Sequence, residues 1–90
     1  MAIGAMAVGN ATPITASALL KTGPGSLLGF FCVSSTSGTV TVYDNTAGSG
    51  TVLLPTVTLA AATFYPFPVA FGTGLYVAVG GTLSVVPVWV

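Results

Sequence analysis

Three side chains of this sequence carry groups that could enter proton-transfer or nucleophilic chemistry: Lys21, Cys32 and Asp44. The one Lys and the one Asp are also its only charged residues, for it holds no Arg, no Glu and no His. A Ser, Thr or Cys nucleophile needs a base beside it, and only Lys21 or Asp44 could serve. Lys21 stands next to the turn residues Gly23, Pro24 and Gly25, a solvated setting unlike the buried one that turns a lysine into a base. Paired carboxylates are ruled out by a count of one. The chain is therefore expected not to be an enzyme.

Binding chemistry is bounded in the same way. With no His and a single carboxylate, neither a zinc nor a calcium site can be assembled in the usual manner, so no metal and no cofactor is expected. Pairs of glycines at Gly23/Gly25, Gly48/Gly50 and Gly72/Gly74 lack the following helix and the Lys-Ser/Thr pair of a phosphate loop, and turn geometry accounts for them. One lysine cannot neutralise a run of phosphates, which excludes nucleic acid as a partner. Asp44, followed by Asn45 and a Gly-containing loop, is expected to accept backbone amide hydrogen bonds in a local Asx-type turn. Cys32 lies between Phe31 and Val33 and reads as a small buried hydrophobe.

The elements that would position these groups are strands. Leu27 to Leu59 contains three apolar or alternating runs separated by Gly, Ser, Thr and Asn clusters, the pattern of consecutive antiparallel strands. The run Ser26 to Ser34 is apolar almost throughout, which predicts a strand covered on both faces, with Phe30 and Phe31 in the core. A turn is expected over Ser35 to Gly38. In Thr39 to Asp44, Val40 and Val42 point one way and Thr39, Thr41 and Tyr43 the other. Pro55 marks a bulge or an edge within TVLLPTVTL, and Pro66 and Pro68 confine TFYPFPVAF to an edge. Gly80-Gly81 between two β-rich runs predicts a tight hairpin. Upstream, Ala11 to Lys21 reads as a strand interrupted by Pro13, with a short helical turn over Ala16 to Leu20 as the other option.

These signals define an all-β fold, a small antiparallel β-sandwich or jelly-roll-like barrel of about six to seven short strands. Residues 1–10 form an N-terminal arm and residues 11–90 one domain. A composition of 53% hydrophobic and 2% charged residues departs far from the roughly 25% charged of soluble domains, and a surface so poor in charge invites association. A membrane span is not expected, because prolines and glycines interrupt the uncharged stretch from Asn45 to Val90 and its apolar residues alternate with period two.

Three stretches carry a resemblance to a known group of proteins: GTVTVYDN (Gly38 to Asn45), GTV (Gly50 to Val52) and FGTGLYVAVGGT (Phe71 to Thr82). Together they resemble small β-sandwich structural proteins of tailed-phage and prophage virions, over roughly residues 17 to 86. The resemblance implies a place on the virion, at the capsid surface or the tail, and no catalytic residue. The function expected from it is that of a capsid decoration or cementing protein that binds the assembled shell and bridges coat subunits. Self-association about a threefold axis is part of that expectation, with the major capsid protein or another virion protein as second partner. Alternatives are a tail, collar or fibre subunit, a self-polymerising filament protein, or a module that binds glycans through exposed aromatics such as Tyr65, Tyr76 and Trp89. The residues expected at interfaces are Met1, Ala2, Ile3, Met6 and Val8 of the arm, with Tyr65 and Trp89.

Overall fold

A computed structural model describes residues 9–90. Six antiparallel strands form one sheet: β1 (Asn10–Ala11), β2 (Ala18–Thr22), β3 (Gly25–Asp44), β4 (Thr51–Thr58), β5 (Thr63–Phe71) and β6 (Gly74–Trp89). The all-β antiparallel class expected from the sequence is what the chain adopts. Its length is concentrated in two elements, since β3 runs for 20 residues and β6 for 16.

These two strands pair with each other from Leu27↔Trp89 to Tyr43↔Tyr76. Twenty residues of extended chain would measure about 66 Å, whereas the longest dimension of the molecule is 42 Å. The ladder therefore bends. It does so with three register shifts, between Leu27 and Gly29, Cys32 and Ser34, and Thr36 and Thr39. Each inserts one extra residue into β3, and such bulges bend a strand and increase its twist.

The bend divides the sheet into two limbs. In one, the C-terminal part of β3 lies between β4 and the start of β6, with β2 beyond. In the other, the N-terminal part of β3 lies between β5 and the end of β6, with β1 beyond. We call them the Asp44 limb and the Phe31 limb. Their inner faces meet in one core, to which the Asp44 limb gives Val40, Val42, Leu75 and Val77 and the Phe31 limb gives Leu27, Phe30, Cys32, Val85 and Trp89. Sandwich packing is thus achieved by a single sheet folded over itself, with sheet layers about 10 Å apart in a molecule 16 Å thick.

The stretch from β1 to β2 closes one side of this sandwich. Ile14 exchanges two backbone hydrogen bonds with Val85, at 2.8 and 3.0 Å, and places its side chain in the core. Pro13 interrupts the strand pattern there, as the sequence predicts, and no helical turn forms over Ala16 to Leu20. On the other side, β4 and β5 are both edge strands, which agrees with their prolines. Pro55 also falls within the irregular register between Val42↔Leu54 and Val40↔Val57.

Two expected turns are absent, and one cause explains both. Ser35 to Gly38 lies inside β3 and Gly80-Gly81 inside β6, and they oppose each other at the bend, between Thr36↔Thr82 and Thr39↔Gly80. Their turn-forming chemistry serves a shared bulge instead of two chain reversals. Ser37 and Gly81 take positive φ, 55° and 70°, and a Cβ on Gly81 would collide with the Ser37 carbonyl oxygen.

Phe31 also departs from expectation. Phe30 is 3% exposed and faces the core, whereas Phe31 is 37% exposed on the opposite face. Among the described residues none forms a layer over that face, so the apolar run from Ser26 to Ser34 is covered by them on one side only.

Two measurements test this architecture. Phe30→Ala should destabilise by about 3–5 kcal/mol and Phe31→Ala by less than about 1 kcal/mol in the monomer, read from denaturant unfolding at low protein concentration. Gly81→Ala should cost about 1–3 kcal/mol because it forces a side chain into a left-handed, sterically closed position. Gly72→Ala, where a Cβ meets no heavy atom within 4 Å, should stay within about 0.5 kcal/mol of the parent.

Candidate interaction surfaces

Asp44 ends β3 and reaches across to the loop joining β5 to β6. Its Oδ1 accepts hydrogen bonds from the backbone N–H of Thr73 at 2.8 Å, Gly72 at 3.1 Å and Gly74 at 3.3 Å, and its Oδ2 accepts from Gly72 at 3.1 Å. The expected role as an amide acceptor holds, but the amides lie about thirty residues away in sequence. Asn45 does the local work, accepting from Thr46 N–H at 2.8 Å and donating to the Ser49 carbonyl at 2.7 Å. The amides of Thr73 and Gly72 hold the Asp44 carboxyl below its usual range. Every one of its close partners is a backbone donor, so the carboxylate acts as an acceptor that ties the end of β3 to this loop.

Cys32 is buried within the core, its thiol directed at the Ser34 carbonyl oxygen 3.5 Å away. Burial pushes the thiol pKa up, the direction that suppresses nucleophilicity. Lys21, on β2, pairs in register with Leu75, and its ammonium lies near Gly25. Among the described residues no group of three His, Cys, Asp or Glu comes together to hold a metal, and no helix is long and apolar enough to cross a membrane.

Of the residues expected at interfaces, Met1, Ala2, Ile3, Met6 and Val8 lie outside the described residues. Tyr65 is half-buried on β5, stacks on Phe30 with ring centroids 5.8 Å apart, and accepts the Ala60 N–H at 2.7 Å through its hydroxyl. It lines an apolar cleft of about 240 Å³ between the two limbs, together with Leu54, Val57 and Leu59 from the β4 side and Phe67 from β5. Trp89 requires a correction. It is 7% exposed, pairs with Leu27 and Asn10, and belongs to the core, because the inward parity of β6 carries it there.

The surfaces that remain are the outer faces of the limbs. On the Asp44 limb, Leu19, Tyr76, Tyr43 and Val52 form a row across four strands. Tyr43 and Tyr76 meet edge to face at 6.4 Å. Beside this row Thr41 and Thr56 share a hydroxyl hydrogen bond of 2.6 Å, so the side of β3 on which Thr39, Thr41 and Tyr43 were expected belongs to this limb. The Phe31 limb shows a different surface. Val86, Phe31 and Phe64 are direct cross-strand neighbours on β6, β3 and β5, and Phe64 is 51% and Val33 49% exposed. Sequence reasoning missed this apolar face because it assigned Phe31 to the core.

No protein family, curated protein or solved structure matches this chain.

Asp44 gives the fold a pH dependence. Its folded-state pKa is depressed, so its contribution is complete above the unfolded carboxyl's value of about 3.9 and is lost as pH falls through the folded value. Thermal unfolding should be nearly flat from pH 7 to about pH 5 and shift to lower temperature in more acidic buffer. Asp44→Asn should melt lower than the parent at pH 7 and show a much smaller acid shift.

Proposed function

We propose that this chain is a structural protein of a tailed-phage virion, and in particular a capsid decoration protein that binds the assembled shell and bridges coat subunits. The observation that carries the proposal is the absence of charge from both outer faces of the folded sheet. Lys21 and Asp44 both belong to the Asp44 limb, where Gly74 lies close to the backbone of Lys21 and Asn45. Large uncharged surfaces suit burial against other subunits, whose contacts are more apolar at their centres than free surface. Self-association and shell binding divide these faces between them.

The resemblance to phage proteins fits the same picture. Its motifs GTVTVYDN and FGTGLYVAVGGT are joined through Asp44, which binds the amides of Gly72, Thr73 and Gly74. They are therefore one scaffold unit that holds a strand end to a loop, which agrees with a structural and not a catalytic role.

Decoration is favoured over a filament built by strand addition. Pro66 and Pro68 stand two residues apart on β5, so they delete successive donors from one side of that edge, and Pro55 deletes one from β4. Such edges are poor templates for another chain. Recognition of glycans through Trp89 is disfavoured by its burial.

Incubating the purified protein with undecorated shells of the matching phage and imaging by electron microscopy tests the proposal. Regular density on the capsid faces is expected. Filaments formed without shells, or shells left bare at saturating protein, would overturn it.

A further inference from the structure

Among the described residues nothing covers the outer face of the Phe31 limb, although its sequence has the character of a covered one. Ser26 to Ser34 is the continuous apolar run of a strand buried on both sides, yet the described residues bury only the side bearing Leu27, Phe30 and Cys32. Leu28, Phe31 and Val33 project the other way, flanked by Phe64 of β5 and by the half-buried Val86 and Val88 of β6. Leu28 and Val33 are the extra residues at two of the bulges, so the same irregularities that bend the sheet put more apolar surface outside.

We propose that this face is a homodimer interface, and that the missing layer over Phe31 and Phe64 is the same face of a second copy of this chain. The proposal rests on the reading that the protein acts through assembly, and it names one of the surfaces used. Charge is the first argument for a second copy. Neither charged residue lies on the Phe31 limb, since Lys21 is on β2 and Asp44 ends β3 in the other limb. A twofold axis through the face thus opposes no like charges, and a surface apolar throughout is complementary to itself. An ordinary hydrophilic partner would leave its own charges unpaired against it.

Area is the second argument. β5 is nine residues long, so three strands about 4.8 Å apart and about 30 Å long present roughly 400–600 Å² per copy. Two copies then bury on the order of 1,000 Å², the lower limit for a specific association. Face-to-face packing at about 10 Å with strands near 30° is the ordinary way two sheets meet. Isologous pairing makes the contact twofold, in place of the threefold expected from the sequence.

Sedimentation velocity of the full chain, without shells and over a concentration series, tests this. The expected result is a reversible step from the 8.8 kDa chain to twice that mass. Phe64→Asp should weaken the association by more than about tenfold, whereas Leu19→Asp, on the other limb, should leave it unchanged. Dilution of the unaltered protein, followed through amide chemical shifts, gives a readout that needs no variant. The shifts should move at residues 28–33, 64–68 and 86–88. A monomer at millimolar concentration, a trimer, unchanged association of a folded Phe64→Asp protein, or shifts confined to the row from Leu19 to Val52 would each overturn the proposal. The two readings fail separately: a dimer that leaves shells bare removes only the virion reading, and a monomer that decorates them removes only the dimer.

Discussion

Everything in this molecule depends on β3 and β6 remaining paired through a bend. A 20-residue strand cannot lie straight in a body 42 Å long, so the fold needs a place where the ladder can turn without separating. Ser37, Gly38 and Gly81 provide it. Positive φ at Ser37 and Gly81 and the absence of a Cβ on Gly38 and Gly81 let the two backbones approach more closely than side chains would allow. Once the turn is made, the two inner faces cover each other, and a 90-residue chain obtains a core from one sheet.

The bulges also fix which residues are inside. A single extra residue moves every later side chain to the opposite face. Between Leu27 and Phe30 one bulge intervenes, and these two inward residues have opposite parity. Between Cys32 and Val40 two intervene, and parity is restored, so both point inward. On β6 nothing interrupts the alternation, and Leu75, Val77, Leu83, Val85, Pro87 and Trp89 all take the inner face. The loop from Gly72 to Gly74, which connects this strand to β5, is held by the one carboxylate in the chain. The charge is placed where backbone donors cluster, and neither outer face has to accommodate it.

Much of this was legible in the sequence, and the part that was not has a definite origin. Strand character, the edge positions of the proline-bearing segments, the burial of Cys32 and the alternation of Thr39 to Asp44 follow from local pattern. Gly80-Gly81 was misread because a glycine pair signals a hairpin only when the flanking parity agrees. A two-residue turn there would put Val77 on one face with Ser84 and send Leu83, Val85 and Trp89 to the other. The odd-numbered apolar series from Leu75 to Trp89, broken only by Gly81, keeps one parity on both sides of the glycine pair and argues for a continuous strand, a signal available in the sequence. The partner of Asp44 was not available, since a contact spanning about thirty residues depends on the tertiary path. Phe31 marks the limit of periodicity reasoning: an apolar run says that a strand's two faces avoid water, but not whether the second cover comes from the same chain.

That distinction bears on function. A soluble monomer protects a one-layer outer face with Lys and Glu, and their absence leaves apolar and hydroxyl-bearing side chains to meet whatever is adjacent. The two limbs differ in what they offer. Tyr43, Tyr76, Thr41 and Thr56 present rings and hydroxyls that can hydrogen-bond to varied polar partners, whereas Val86, Phe31 and Phe64 offer only shape and apolar area. Desolvating hydroxyls without new partners is unfavourable, so the first face suits a partner with matching donors and acceptors, and the second suits a surface as apolar as itself. One folded sheet thereby separates two kinds of surface, one bearing rings and hydroxyls and one apolar, onto opposite sides.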